Sequence, residues 1–387
     1  MKADTIVYEK KNSNVRLAVL SEGRMVEFDT FSENSAVEGN VYLGRIVRKI
    51  ELASGHTAFK VNISDTQDAF LNASEPDLKE VNMSEGQSVV VQVSQEKRAE
   101  KGAKLVRNIQ IVGTTVVYRP FRMGVDVSSK ITDKEKIKEY RSAVFSQIKG
   151  QEGWAIRTAA IDFDINTVLE EMVKLRNIYE NIRIRARNAT APALLYTRED
   201  PLYEYIRRHK DDLKKIVLNN HNIEKDVQGF IDLPVEYDAN PFETYGLEDE
   251  LIEALSRSVS LKSGGKIYID QTKACVTIDV DSGSTKEGSN AYDLNNEAAE
   301  EIVRQIRLKN LSGKIIIDFA GSKEYHFMKP VIEILEAGLA DDPSKAHVLG
   351  LSKAGNIEIL RQRRRPSLID MYTEDCPTCQ GTGRVEK

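Results

Sequence analysis

Lys273-Ala274-Cys275-Val276-Thr277-Ile278-Asp279-Val280-Asp281 opens a stretch that closes on Lys314-Ile315-Ile316-Ile317-Asp318-Phe319. Between these runs lies a helical pattern from about Asn295 to Lys309. Two β-branched runs that each end in an aspartate, flanking one helix, read as a strand–helix–strand unit. A crossover of that length favours parallel strands, which brings both acids to one edge of the sheet. In open α/β sheets that carboxyl edge is where ligands bind. Carboxylates held close together there, without cationic partners in the same motif, suit a divalent metal.

The chain around this stretch has 387 residues, enough for several domains with substantial cores. No apolar run approaches membrane-spanning length, and Met1-Lys2-Ala3-Asp4 begins no signal peptide. Three cysteines make no disulfide framework, so a reducing cytoplasm is the expected location. A net charge of −5 taken alone argues against a nucleic-acid binder. Phosphate contact is local, however, and the basic residues are clustered.

Upstream, Asn14–Leu20 and Met25–Phe28 read as a strand pair around Ser21-Glu22-Gly23. Five short strands follow between 36 and 118: Asn40–Ile50, Ala58–Ile63, Asp68–Leu71, Ser88–Ser94 and Leu105–Tyr118, separated by Ser54-Gly55, Ser64-Asp65 and Glu85-Gly86. That spacing fits a small OB-fold barrel. Phe59 and Phe70 are either exposed stacking platforms for bases or barrel core, and Lys97–Lys104 is either a phosphate-contacting loop or a solvated one. Helices are expected over Asp133–Gln147 and about Ile165–Arg187, the second carrying Lys174, Arg176, Arg183, Arg185 and Arg187 as a solvated face or a basic channel wall. Between them, the strand from Gly153 ends in Arg157-Thr158, a planar fork and a hydroxyl suited to phosphate oxygens.

From 190 to 254 the pattern alternates a strand (Ala193–Tyr196), a helix from Asp200-Pro201 to about Leu218, a strand near Gly229–Leu233 and a helix near Leu247–Ser258. Beyond Asp318 a helix at about Lys329–Leu339 and strands Val348–Leu351 and Ile357–Leu360 lead into Arg361-Gln362-Arg363-Arg364-Arg365-Pro366. These arginines, beside an acidic metal site, are expected to hold a nucleic-acid backbone. The C-terminal Cys376-Pro377-Thr378-Cys379-Gln380-Gly381-Thr382-Gly383 is half of a zinc knuckle. Structural zinc wants four ligands; His326 or His347 has no supporting spacing, and two chains giving two cysteines each is the simpler solution.

In this order the motifs resemble those of the ribonuclease E/G family of bacterial endoribonucleases, over nearly the whole chain. Val41–Ile46 and His56–Phe59 resemble its S1-type RNA-binding barrel, Gly153–Ala159 its sensor for the RNA 5′ end, and Lys273–Asp281 with Gly313–Phe319 its catalytic strands. Asn296–Ile302 resembles the helix between those strands, and Cys376–Gly383 the zinc link. The resemblance implies an α/β, multidomain fold. An RNase H-like subdomain (1–35 and 190–254) would carry an inserted S1-like OB-fold (36–118) and a 5′-sensor subdomain (119–189). A DNase I-like catalytic subdomain (255–370) and the zinc link (371–387) would follow. It also implies RNA contact at Phe59, Phe70 and Lys101, a 5′-monophosphate held by Arg157 and Thr158, catalytic Mg²⁺ on Asp279 and Asp318, and zinc on Cys376 and Cys379.

The expected activity is hydrolysis of single-stranded, AU-rich RNA in ribosomal or transfer RNA processing or messenger decay, leaving a 5′-phosphate and a 3′-hydroxyl. The alternatives are an RNA-binding regulator with the same fold and little catalysis, and a DNA nuclease. Two departures stand out. Asp281 replaces the family's usual asparagine and adds a carboxylate to the catalytic set, and Ala320-Gly321-Ser322 replaces a further acid. The sequence given ends just after the zinc link, without a small C-terminal domain or degradosome-type tail, so a zinc-linked homodimer is the expected assembly.

Overall fold

A computed structural model of the chain describes residues 2–32, 36–53, 55–73, 83–97, 101–283, 291–321, 324–379, 381 and 383. Ser54, Arg98–Glu100 of the basic loop, Ser322, and Gln380 and Thr382 of the cysteine turn lie outside the described residues. Contacts divide the chain into two units, Met1–Glu33 with Asp200–Lys387, and the inserted Asn34–Glu199. No described helix is long and apolar enough to cross a membrane.

The first unit holds two sheets. One runs Val235–Tyr237, Lys215–Leu218, Thr5–Lys11, Asn14–Ser21, Arg24–Ser32 in spatial order. Thr5–Glu9 is buried without alternation because both faces are covered. Ile6, Tyr8 and Leu17 pack with Leu202, Tyr205 and Ile206, while Val7, Ala18 and Leu20 pack with Phe242, Leu247 and Leu251. The sequence reading missed Thr5–Lys11 and extended the helix at Pro201 too far. That helix ends at His209, and Lys215–Leu218 is a strand parallel to Thr5–Tyr8. The strand expected near Gly229–Leu233 lies instead at Val235–Tyr237, after a helix over His221–Gln228.

The other sheet runs Ser258–Ser260, Lys266–Gln271, Val276–Asp281, Gly313–Asp318, Ile357–Arg361, His347–Leu351. Helices Ala291–Leu308 and Tyr325–Leu339 join strands on either side of Gly313–Asp318 and bury one face of the sheet. Ile267, Ile269, Ile278, Ile315 and Ile317 point into that core with Ala298, Ile302, Val331 and Leu335. Strict alternation sends the intervening residues of Lys266–Gln271 and Val276–Asp281 to the open face.

In the inserted unit, five strands close into a barrel: Val41–Glu51, Thr57–Asn62, Ala69–Asn72, Lys104–Val106 and Ser88–Gln95, the last pairing back onto Val41–Arg45. Gly44 sits where the first strand changes partners; a Cβ there would come within 2.4 Å of Val61. Ala193–Tyr196, expected in the flanking domain, is a sixth strand on this sheet. The run 105–118, expected as one strand, breaks into Lys104–Val106, Ile111–Val112 and Val116–Arg119. The last two join Gly153–Ile156 and Gly124–Val127 in a separate four-stranded sheet. Helices Lys134–Ser146 and Ile165–Asn188 pack on that sheet, with Asp133 and Asp164 as their N-caps.

Candidate active site and nucleic-acid faces

Val276–Asp281 and Gly313–Asp318 are parallel neighbours, and their register sets Asp279 directly opposite Asp318. Both side chains are exposed on the open face. Across the other edge of the Val276–Asp281 strand, Tyr268 lies opposite Asp279 and Lys266 opposite Asp281. The backbone just past Asp318 is fixed by the buried Asn295, whose amide donates to the Ala320 carbonyl at 2.8 Å and accepts from the Ala320 amide at 3.1 Å. Sequence reading overlooked Asn295. Its signal was a polar residue on the buried side of the helical pattern, where an unpaired amide would be costly.

The donor set suits magnesium: two opposed carboxylates on an exposed strand pair, with coordination positions left for water and phosphate oxygens. Among the described residues no three or more His, Cys, Asp or Glu side chains gather as a metal cage. Asp281 is exposed on the same side of the strand as Asp279. It lies two residues along the strand from Asp279, roughly 6.6 Å on, and accepts a bond from the Gly283 amide at 3.0 Å.

The arginine run is corrected more thoroughly. Arg361 is 4% exposed and binds Asp342 through Nε at 2.7 Å and Nη2 at 2.9 Å. Arg365 pairs with Asp29, Arg363 donates to Ser312 Oγ, and Arg364 donates to the Pro343 carbonyl. Next to them Glu27 is buried between Arg208 and Arg307, with His209 3.4 Å away. Burial pushes the Glu27 carboxyl up, but the Arg208 and Arg307 charges outweigh it and hold the group well below the ordinary range. Burial draws Arg365 down to about 10. Arg361 and Arg365 are thus taken up in internal ion pairs, while the exposed Arg363 and the half-buried Arg364 bond to a hydroxyl and a carbonyl; the Arg365–Asp29 and Arg307–Glu27 pairs tie the Arg24–Ser32 strand to the segment after Ile357–Arg361 and to the helix Ala291–Leu308. Nearby, burial and then the Arg304 charge bring Lys309 down to about 8; its ammonium donates to the Ser256 carbonyl at 2.6 Å.

On the barrel, Phe59 is 1% exposed and packs in the core with Ile46, Leu71 and Leu105, which corrects its reading as an RNA-stacking platform. Phe70 is half-buried and faces the other way. The pairing register places it in one row across four strands, Arg48–Lys60–Phe70–Lys104. None of these three cations, nor the exposed Lys101, makes an ion pair or side-chain hydrogen bond with a described residue. Lys97, by contrast, is neutralised by Asp65 at 3.0 Å. Sequence reading missed Arg48 and Lys60 and placed Lys104 only in the basic loop, because the row exists only once four strands are in register.

In the other sheet, Gly153 crosses so close to Arg122 that a Cβ would lie 1.9 Å from its carbonyl oxygen. Arg157 and Thr158 follow that strand. The Glu171 carboxylate accepts from the amides of Thr114 and Thr115, both at 2.6 Å, and from the Thr115 hydroxyl. This clamp turns the Gly113 and Thr114 carbonyls toward Arg157 Nη1, which donates to both. Thr158 is exposed and its hydroxyl lies 2.9 Å from that of Ser128. Of the basic helix, Arg176 is paired with the buried Glu152 at 2.7 Å and Arg183 with Glu180, so it is not a continuous basic wall. At the C-terminus the Cys379 and Thr378 amides lower the exposed Cys376 thiol below its ordinary pKa. Cys376 and Cys379 sit in one turn, and neither is in a disulfide.

A sequence profile described as the ribonuclease E/G family matches residues 110–364. Ribonuclease G of Escherichia coli is 28% identical over 411 aligned positions, covering 97% of this chain and 83% of that protein. Ribonuclease G of Haemophilus influenzae is 29% identical, covering 97% and 82%. Ribonuclease E of Synechocystis is 30% identical over 92% of this chain but only 56% of its own length.

Proposed function

Since the chain belongs to the ribonuclease E/G family, we propose that it is a Mg²⁺-dependent endoribonuclease that cleaves single-stranded RNA. The observation that carries this reading is Asp279 set opposite Asp318 on an exposed strand pair. These two carboxylates would hold the ion, and a bound Mg²⁺ polarises a phosphodiester and lowers the pKa of water. The residues of the chain do the rest. Asn295 keeps the backbone after Asp318 in place, Phe70 offers a ring to a base, and Arg48, Lys60, Lys101 and Lys104 line the barrel face for the RNA backbone. Water attacking in line with the departing 3′ oxygen leaves a 5′-phosphate and a 3′-hydroxyl.

Arg157 and Thr158 are the proposed holders of a 5′-monophosphate. The Glu171 clamp fixes Arg157 in position, and the paired hydroxyls of Thr158 and Ser128 supply neutral donors beside it. Cys376 and Cys379, with the same pair from a second copy, would hold zinc in a homodimer. The support is a two-sulfur turn with a lowered thiol pKa, which is half of a tetrahedral thiolate site.

The test is cleavage of 5′-monophosphorylated and 5′-triphosphorylated forms of one single-stranded RNA with Mg²⁺, by the wild type and by Asp279→Ala. Cleavage lost in the variant and faster on the monophosphate supports the proposal. Binding without any difference in cleavage would reduce the protein to an RNA-binding regulator.

A further inference from the structure

The row that contains the carboxylate pair extends one strand further. Its members are Ser258, Tyr268, Asp279 and Asp318, each the direct cross-strand neighbour of the next. Ile267 and Ile269, on either side of Tyr268, point into the core, so the tyrosine shares the open face with the aspartates. It is 36% exposed. Direct neighbours in a sheet have Cβ atoms about 4.5–5.5 Å apart, so the ring stands alongside Asp279. On its other side the neighbour is an exposed serine, too small to cover it. Among the described residues Tyr268 has no hydrogen-bond, ring-stacking or cation–π partner, whereas Tyr118, Tyr179, Tyr203 and Tyr237 are each packed against another ring.

A large planar side chain held upright on a rigid strand, uncovered and beside the proposed metal carboxylates, has the properties of a stacking platform. We propose that Tyr268 stacks on the nucleobase of a nucleotide flanking the scissile phosphodiester, and so sets which phosphate of a flexible single strand comes to rest over Asp279 and Asp318. The inference rests on the endoribonuclease reading and adds a substrate-contacting residue to that site. Every base has a π face, so the contact selects an unpaired nucleotide rather than one particular base.

The test is single-turnover cleavage of a short 5′-monophosphorylated RNA with one mapped cleavage position, together with versions carrying an abasic residue at each flanking nucleotide in turn. The enzymes are the wild type, Tyr268→Phe and Tyr268→Leu, with thermal unfolding run on each. The wild type should lose about 5- to 150-fold in kcat/KM when one particular flanking base is removed, the worth of a single base–aromatic stack. Tyr268→Phe should behave as the wild type. Tyr268→Leu should be slower by a similar factor on intact RNA and lose nothing more on the abasic RNA, with an unchanged melting temperature. A Leu variant as fast as the wild type, a loss that multiplies with base removal, or a Phe variant as slow as the Leu variant would overturn the stacking role. Wild-type protein that cleaves no RNA at all would overturn the reading beneath it instead.

Discussion

Replacing Glu27 by Gln keeps the side chain's shape but leaves the guanidiniums of Arg208 and Arg307 buried without their shared counter-charge. Removing one partner of a buried ion pair costs about 3–5 kcal/mol, because the remaining charge is uncompensated. Two arginines are affected, so the upper part of that range applies. For a unit of a couple of hundred residues each kcal/mol shifts Tm by ~2–4 °C, giving a fall of roughly 10–20 °C. The pH dependence follows from the depressed carboxyl. A group whose folded pKa lies below its unfolded value of about 4.5 contributes stability that is complete above that value and is lost as pH falls toward the folded pKa. Between about pH 4.5 and 3 the wild type should therefore lose stability faster than Glu27→Gln, by up to ~1.4 kcal/mol per pH unit. Differential scanning calorimetry from pH 3 to 7 measures both effects. A variant melting within 2–3 °C of wild type, with a parallel acid limb, would refute the argument that this network holds the unit together.

Three further outcomes follow from the same geometry. Lys309 is buried with its ammonium drawn down to about 8, so its charged form opposes folding. Relative to Lys309→Met, the wild type should gain up to about 3 kcal/mol as pH rises from 8 through 10.5, read from denaturant midpoints. Phe59→Ala should destabilise the barrel by about 3–5 kcal/mol, whereas Phe70→Ala should melt near wild type and weaken single-stranded RNA binding by ~1–3 kcal/mol. Lys60→Ala and Lys104→Ala should each reduce the slope of log K against log salt by about 0.7 in fluorescence-anisotropy titrations; an unchanged slope in the double variant would remove the row from the RNA path.

The strand–helix–strand unit was legible because its signals are local. Two β-branched runs, each closed by an acid, and one periodic helix between them dictate parallel pairing, and the observed register adds that Asp279 meets Asp318 rather than a neighbour. Lys215–Leu218 was not legible: four apolar residues carry no period, and they follow a well-capped helix into which they merge. The barrel phenylalanines show a second limit. Ala58 and Phe59 are both buried in succession, so simple alternation cannot say which aromatic faces out. The arginine run failed for a different reason. Its acidic partners Asp29 and Asp342 lie elsewhere in the chain, and a charge cluster reads as surface until they are in place.

Asp279 and Asp318 are proposed to act as one site on one phosphodiester. Single-turnover cleavage of a 5′-monophosphorylated single-stranded RNA by Asp279→Asn, Asp318→Asn and the double variant tests it most directly. If the two carboxylates hold a shared ion, each single change costs at least about 100-fold, the several kcal/mol such an ion supplies, and the double variant is no slower than either single one. Wild-type rates in either single variant, or two losses that multiply in the double, would contradict the account.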